Sequence, residues 1–384
     1  MEYSVTADLA INLIKAYLSD NEFSLSNLTA EDISKVYLFM HKHDLAHLGG
    51  VIFQKMSDCE KEHYKLFLRA RYIAILRHEK RRYASEQVFN LLEKNEIPFI
   101  PLKGAVLSML YPEAWQRTSC DIDVLVKTED LERAIKLLKG DAGYTYYKKS
   151  EHDYSFYAPN GVNLELHYDF HEETISVTDS WQNASYEEGF KYKMMLSPEF
   201  FVLHHIAHMA KHIKYGGCGL RPFIDLWFIK KNLDYDNGKL NTLLIERNLK
   251  KFSDTVFNMT ENLFNSKPLN ALQEELLNFV LDAGAYGSIE NRVAVRHIKN
   301  KSRIKYALSR IFSKRKSLKY AYPVLEKHPW LIPFCQVHRW FKIILKGRAK
   351  SAFEEFSANH NMADEKIKRV NYLLNELEIT DKGV

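Results

Sequence analysis

Cysteine is scarce and scattered in this chain of 384 residues. The four cysteines are Cys59, Cys120, Cys218 and Cys335, and they form no C-x-x-C pair. This spacing argues against a disulfide framework and against a zinc ribbon. It predicts free thiols in a reducing cytoplasm.

Long apolar runs are absent as well, and we expect no secretory leader. No stretch of about 18 or more uncharged apolar residues occurs, so we expect no transmembrane helix. The start of the chain lacks the basic region of a secretory signal, which agrees with a cytoplasmic protein. A net charge of +5 is modest for this length and favours anionic partners without requiring nucleic acid.

Three common motifs are also missing. The sequence has no Walker A motif and no H-E-x-x-H that would indicate a zinc hydrolase. The glycines of Gly216-Gly217-Cys218-Gly219 follow a helical pattern and not a strand, which argues against a dinucleotide fingerprint. Repeats and low-complexity segments are not evident.

The most informative stretch runs from Ile97 to Val126. Its first residues, Ile97 to Leu102, predict a buried strand, and their prolines place it at a sheet edge or make it irregular. Lys103-Gly104 ends this strand, and we predict a helix directly after it. A glycine at such a junction lets backbone N–H groups approach an anion, and the positive end of the helix favours phosphate.

A pair of aspartates opens the next predicted strand, Asp121 to Val126. Because side chains alternate along a strand, Asp121 and Asp123 share one face. Two carboxylates about 6 to 7 Å apart repel each other unless a cation lies between them. Two Mg²⁺ ions would meet this need and would support in-line phosphoryl chemistry.

A further predicted strand, Val162 to Phe170, supplies a third carboxylate. Glu165 and His167 lie on one face of this strand, and Glu165 could serve as metal ligand or as base for an attacking hydroxyl. Alternatively, Asp-x-Asp is an ordinary solvated strand end and Glu165 faces water. The order of glycine turn, helix, Arg117, paired aspartates and distant carboxylate favours a site.

These residues carry a resemblance to a known family. The sequences LKG, YP with a following arginine, DIDVLV and LELH resemble a large bacterial branch of the nucleotidyltransferases in the DNA polymerase β superfamily. The resemblance implies a small mixed sheet flanked by helices, a bound nucleoside triphosphate (NTP) such as ATP, Mg²⁺, and nucleotidyl transfer with release of pyrophosphate. The superfamily usually has Gly-Ser or Gly-Gly at the turn, whereas Lys103-Gly104 places an ammonium group there.

The resemblance also implies roles for individual residues. The predicted catalytic residues and metal ligands are Asp121, Asp123 and Glu165. The predicted phosphate-binding residues are Lys103, Gly104 and Arg117. His167 is a candidate for substrate binding.

Histidines recur on a later predicted helix. His204, His208 and His212 fall four residues apart, and interior packing or contacts to substrate explain this spacing better than a zinc site. By the resemblance, His208, His212, Arg221 and Asp225 would line the cleft opposite the carboxylates. For Arg221 and Asp225, an ion pair between neighbours on one helix is an equal alternative.

Helical periodicity predicts the surroundings of the sheet. We predict an N-terminal helical region at 1–95, a nucleotidyltransferase domain at 96–195 and a C-terminal helical domain at 196–384. Within the second of these, 172–196 is polar and weakly patterned, which predicts a connection.

Three surface features have two interpretations each. Arg77, Lys80, Arg81 and Arg82 could reach a phosphate, but we favour a solvated helix face. The basic run 292–319 could contact an anion, but we favour a solvated surface. The aromatic segment 330–345 could be a partner surface, but we favour packing against the other helices.

We therefore predict an α+β protein that transfers a nucleoside monophosphate from an NTP to an acceptor hydroxyl with Mg²⁺. The acceptor could be a small molecule, a peptide, a protein or RNA. The alternative is a non-catalytic nucleotide- or RNA-binding protein on the same fold. The oligomeric state is left open.

Overall fold

A computed structural model gives the architecture of the chain. It describes residues 5–21, 23, 28–56, 61–140, 142–170, 174–300, 311–313, 315–345, 354, 357–358 and 362–380. Cys59 and the 301–310 part of the basic run lie outside the described residues.

The chain begins with helices that precede the sheet. They are α1 Val5–Ser19, α2 Ala30–Lys42, α3 Ala46–Phe53 and α4 Lys65–Lys94. The hydroxyl of Thr29 caps α2 by accepting from the Asp32 N–H at 3.2 Å, as expected of a threonine at this position. Helix α4 has 30 residues, so it spans about 45 Å.

A five-stranded mixed sheet follows, in the order β1-β2-β5-β4-β3. The strands are β1 Phe99–Pro101, β2 Asp121–Val126, β3 Thr145–Lys149, β4 Asp153–Tyr157 and β5 Asn163–His167. Strand β1 pairs antiparallel with β2 at the edge, which confirms the position predicted from its prolines. Strands β2 and β5 are parallel neighbours. The small mixed sheet, with helices before and after it along the chain, confirms the predicted α+β class.

The helix predicted after Gly104 is shorter than expected. Helix α5, Gly104–Leu107, is a single turn that continues as a 3-10 turn at Ser108–Leu110. One turn aligns few peptide dipoles, so the helix end contributes less to anion binding than the sequence suggested.

The segment predicted as a connection has regular structure of its own. Its described part contains α7, Val177–Gln182, and the hairpin of β6 Ala184–Tyr186 and β7 Met194–Leu196. The Phe99 N–H donates to the Tyr192 carbonyl at 3.0 Å, which joins this hairpin segment to β1. Helix α6, Leu131–Lys139, lies between β2 and β3 in the chain.

Helices form most of the remaining described chain. They are α8 Pro198–Lys214, α9 Arg221–Asn232, α10 Asn237–Glu246, α11 Lys250–Phe264, α12 Ala271–Ala283, α13 Ile289–Asn300, α14 Arg315–Ala321, α15 Ile332–Leu345 and α16 Asp364–Glu376. No helix among the described residues is both long and apolar enough to cross a membrane.

The aromatic segment that contains α15 does not pack as predicted. Trp330, Phe334 and Phe341 are 68%, 67% and 61% exposed. The prediction that this segment packs against the other helices is therefore wrong for these side chains.

The two faces of the sheet pack in different surroundings. On one face Ile122, Val124 and Leu164 join a core with Val88 of α4 and Ala134 of α6. Alternation along β2 and β5 turns the intervening residues to the other face. That second face carries the polar side chains of the candidate site.

Candidate active site

The carboxylates meet on neighbouring strands. Asp123 of β2 and Glu165 of β5 are direct partners in the parallel ladder, and Asp121 lies two residues earlier on the same face. His167 donates from Nε2 to Asp123 Oδ1 at 2.8 Å and lies 3.8 Å from Glu165. Ligand atoms of Asp123, Glu165 and His167 all lie within 4.8 Å of one another.

This crowding shifts the acidities of the carboxylates. Burial, and then the charge of Asp123, raises the pKa of Asp121. Burial, and then Asp123 and Asp121, raises the pKa of Glu165. For Asp123, burial acts upward, but the charge of Lys103 and the hydrogen bond from His167 prevail and hold its pKa below the usual range. A bound cation would relieve this repulsion.

The donor set fits a divalent metal. Asp123 and Glu165 offer carboxylate oxygens, the ligands that Mg²⁺ prefers. The Ser119 hydroxyl donates to Asp121 at 3.0 Å and orients this third carboxylate.

Lys103 and Gly104 form the turn between β1 and α5. Lys103 has φ 43° and ψ −100°, a conformation that favours glycine. A Cβ built on Gly104 would lie only 3.1 Å from Arg81 Nη1, 3.1 Å from Ser119 Oγ and 3.2 Å from Arg117 Nη1. Gly104 therefore sits where two guanidinium groups converge.

Arg117, predicted to bind phosphate, is held in a buried ion pair. Its Nε and Nη2 donate to Asp225 of α9 at 3.2 and 3.0 Å, and the Tyr111 hydroxyl donates to the same carboxylate at 2.7 Å. Burial acts to raise the pKa of Asp225, but the charge of Arg117 lowers it below its usual range. Asp225 is therefore ionised, and the pair fixes the segment before β2 to α9.

Arg221 does not form the alternative ion pair with Asp225. Its Nη1 donates to Asp44 at 3.0 Å and to the Thr118 carbonyl at 3.2 Å. Asp44 follows α2, so the N-terminal helices reach the edge of the site.

The histidines of α8 divide between two environments. His208 and His212 contact each other, with their Nε2 atoms 2.9 Å apart. His204 instead packs edge-on against Phe170. His205, which the sequence pattern did not indicate, is buried and lines the site.

One cavity of about 420 Å³, the main cleft, collects these groups. Every site residue predicted from the sequence lines it: Lys103, Gly104, Arg117, Asp121, Asp123, Glu165, His167, His208, His212, Arg221 and Asp225. A second cavity of about 250 Å³, the side cleft, lies between α4, the turn and the β6–β7 hairpin. It shares Gly104, Asp121 and Asp123 with the main cleft.

The sequence predicted Arg81 to lie on a solvated helix face, and this prediction is wrong. Arg81 is 7% exposed, whereas Arg77, Lys80 and Arg82 are exposed as predicted. Its position could have been found, since Phe67, Ala74, Arg81 and Val88 repeat every seven residues and are all buried.

Comparison with known families identifies the chain. Residues 29–265, more than half of the sequence, match the family described as "Uncharacterised nucleotidyltransferase". The chain belongs to this nucleotidyltransferase family. The match includes both helical and sheet parts of the nucleotidyltransferase, together with every predicted site residue.

Comparison with solved structures found partial similarity to two proteins. One is the antibiotic-resistance factor ANT(2'')-Ia, with 9% identity and a TM-score of 0.33, covering 47% of this chain and 95% of that chain. Another is an antigenic nucleotidyltransferase-like protein from Paracoccidioides brasiliensis, with 17% identity and a TM-score of 0.31, covering 50% of this chain and 95% of that one. No curated protein matches significantly.

Proposed function

We propose that this nucleotidyltransferase moves a nucleoside monophosphate from an NTP to a hydroxyl group of an acceptor, with Mg²⁺. The observation that carries the proposal is the pairing of Asp123 with Glu165 across β2 and β5, beside Asp121 and in one cavity with Lys103. Carboxylates from two strands with a nearby cation suit the binding of a metal–triphosphate complex.

The residues of the main cleft have different proposed roles. Asp121, Asp123 and Glu165 would hold Mg²⁺, which when bound neutralises charge on the transferred phosphate. Lys103 and the backbone of Gly104 would bind the phosphates. Arg117 would bind phosphate or support the wall of the main cleft. In either role, its ion pair with Asp225 orients the guanidinium.

Glu165 is the proposed base. Its carboxylate lines the main cleft beside Asp123, where it can accept a proton from an acceptor hydroxyl bound in that cleft. The acceptor oxygen attacks the α-phosphorus and forms the new P–O bond. The bond between the α-phosphorus and the bridging oxygen breaks, pyrophosphate leaves, and Glu165 takes the proton of the acceptor hydroxyl.

Residues at the end of β5 and on α8 and α9 would contact the acceptor. His167, His208, His212 and Arg221 line the main cleft at positions that the family resemblance also indicated. Their hydrogen-bond donors, and the positive charge of Arg221, suit a polar or anionic acceptor. Asp225, with its oxygens bonded to Arg117 and Tyr111, is proposed to act through Arg117.

The test is release of pyrophosphate. Wild type and Asp123→Ala are incubated with each labelled NTP, Mg²⁺ and candidate acceptors, and pyrophosphate and labelled product are measured. We expect the variant to lose about 10²- to 10³-fold or more in rate, the cost of removing one group that stabilises the transition state. Asp254→Ala, on the exposed side of α11 and paired with Lys250, is the matched control. Equal signal from wild type and Asp123→Ala would contradict the mechanism.

A further inference from the structure

Arg81 of α4 is buried without a carboxylate partner among the described residues. Its Nη2 donates to Nδ1 of His78 at 3.3 Å. Burial, and then the charge of Arg81, lowers the pKa of His78, so this ring is a neutral acceptor. The next residue, Arg82, is exposed and lies between Glu79 and Glu86, at 2.9 and 2.6 Å.

A buried guanidinium without an ion-pair contact is costly for the fold, even though the charge of Asp121 offsets part of the cost. Burial, and then the charge of Arg117, lowers the pKa of Arg81 to about 10, which leaves it positively charged at neutral pH. Removing a charge from water is unfavourable unless the charge is paired. If this buried position of α4 served packing alone, an apolar residue would stabilise the fold better than arginine. The position therefore calls for an anion that binds from outside.

Arg81 points at the turn where the phosphates are proposed to bind. Its Nη1 lies 3.1 Å from the Cβ position of Gly104, and the Nη1 of Arg117 lies 3.2 Å from the same position. Arg117 is ion-paired with Asp225, whereas the charge of Asp121 acts on Arg81 without an ion-pair contact. Two guanidinium groups therefore converge at Gly104, and only that of Arg117 is held in an ion pair.

The side cleft gives Arg81 access to a ligand. Arg81 lines it together with Gly104, Asp121 and Asp123. Its other walls include the apolar Phe89 and Met195 and four charged residues, which are Arg82, Glu86, Glu187 and Lys193. Apolar walls limit water around the guanidinium, which strengthens a hydrogen bond from it to an anion.

We propose that Arg81 binds the triphosphate of the NTP from the side cleft, as a further phosphate ligand of the active site. This rests on the proposed function. The planar guanidinium can donate two parallel hydrogen bonds to phosphate oxygens. Helix α4, in the region predicted as a separate N-terminal part, then supplies a substrate-binding residue.

The experiment measures binding of inorganic tripolyphosphate with Mg²⁺ by calorimetry, with no nucleoside or acceptor present. We expect Arg81→Met to weaken the affinity by about 10- to 100-fold, the scale of a hydrogen bond to a charged group. Arg77→Met is the matched control, since it removes an exposed guanidinium of the same helix that lines neither cleft, and its affinity should equal that of wild type. In turnover assays, Arg81→Met should raise KM for the NTP.

A second variant guards against misfolding. Arg81→Lys keeps the charge and most of the length but lacks the planar fork, so we expect a loss of about 10-fold in affinity. An unchanged affinity in a folded Arg81→Met or Arg81→Lys protein would overturn the inference.

The two proposals fail in different ways. If wild type releases pyrophosphate while Arg81→Met and Arg81→Lys bind tripolyphosphate like wild type, only the role of Arg81 is lost. If wild type neither binds tripolyphosphate nor releases pyrophosphate from any NTP, both the inference and the proposed function are overturned.

Discussion

Lys103 shows strain at a single residue. For a residue that carries a side chain, a backbone at φ 43° and ψ −100° is unfavourable by about 1–3 kcal/mol relative to relaxed geometry. Its ammonium lowers the pKa of Asp123, where it is the strongest influence after burial. Glycine would relieve the strain but would remove this charge. We therefore infer that the position is kept for function at the expense of stability.

The strain can be measured by comparing Lys103→Gly with Lys103→Ala. Both variants lose the ammonium, but only glycine fits the backbone without strain. We expect the glycine variant to be more stable by about 1 kcal/mol in denaturant unfolding, with nucleotidyl transfer reduced in both. An alanine variant as stable as the glycine variant would show that the turn is relaxed.

Asp121 and Asp123 should differ in their effect on stability. The pKa of Asp121 is raised, by burial and then by Asp123, so the folded state binds more protons and stability falls as pH rises through the raised pKa. The pKa of Asp123 is lowered, so its contribution is present above the unfolded pKa and is lost as pH falls toward the folded one.

We therefore expect opposite results from two isosteric substitutions. Without metal at pH 7, Asp121→Asn should stabilise the protein and Asp123→Asn should destabilise it, each by about 1 kcal/mol, a common scale for single substitutions. The gain from Asp121→Asn should shrink in acid below pH 4 or so, where wild-type Asp121 is protonated as well. Thermal unfolding across pH measures this, and shifts of the same sign would contradict the assigned pKa directions.

At the level of strands and helices, the sequence predicted the face on which a side chain lies better than the distant strand or residue that it contacts. Alternation correctly put Asp121, Asp123, Glu165 and His167 on polar faces, because period two is fixed by backbone geometry. It could not show that β5 pairs with β2, because that contact depends on closing a long loop of chain. Arg117 likewise meets Asp225 across 108 positions. The sequence offered Arg221 as the partner instead, because helical spacing reveals only near neighbours.

The Arg117–Asp225 pair joins α9 to the segment before β2. Asp225→Ala should destabilise the protein by about 3 to 5 kcal/mol, because Arg117 would be left buried and unpaired. Denaturant unfolding measures the change. As a control for an exposed ion pair, Asp254→Ala should change stability by no more than about 0.5 kcal/mol. A similar small effect for Asp225→Ala would show that water reaches Arg117.

In the whole molecule, the helical regions before and after the sheet share one core. That core includes Leu13 of α1, Phe67 of α4, Leu125 of β2, Phe223 of α9 and Leu373 of α16. The family match, which starts at residue 29 and ends at 265, also crosses the predicted limits at 95 and 195. The three-part division stays a prediction, but the packing argues that its parts depend on one another.

A fragment of residues 96–195 tests this dependence. It would lack Ala84, Val88 and Leu92 of α4, which cover one face of the sheet, and the helices of the shared core on the other. A small sheet that keeps only α6 on one face and nothing of the shared core on the other buries too little apolar surface to offset its loss of conformational entropy. We expect the fragment to give no cooperative unfolding transition and no dispersed NMR spectrum, unlike the full chain. Cooperative unfolding of the fragment would instead establish the catalytic sheet as an independent domain, with the helices added to it for substrate binding.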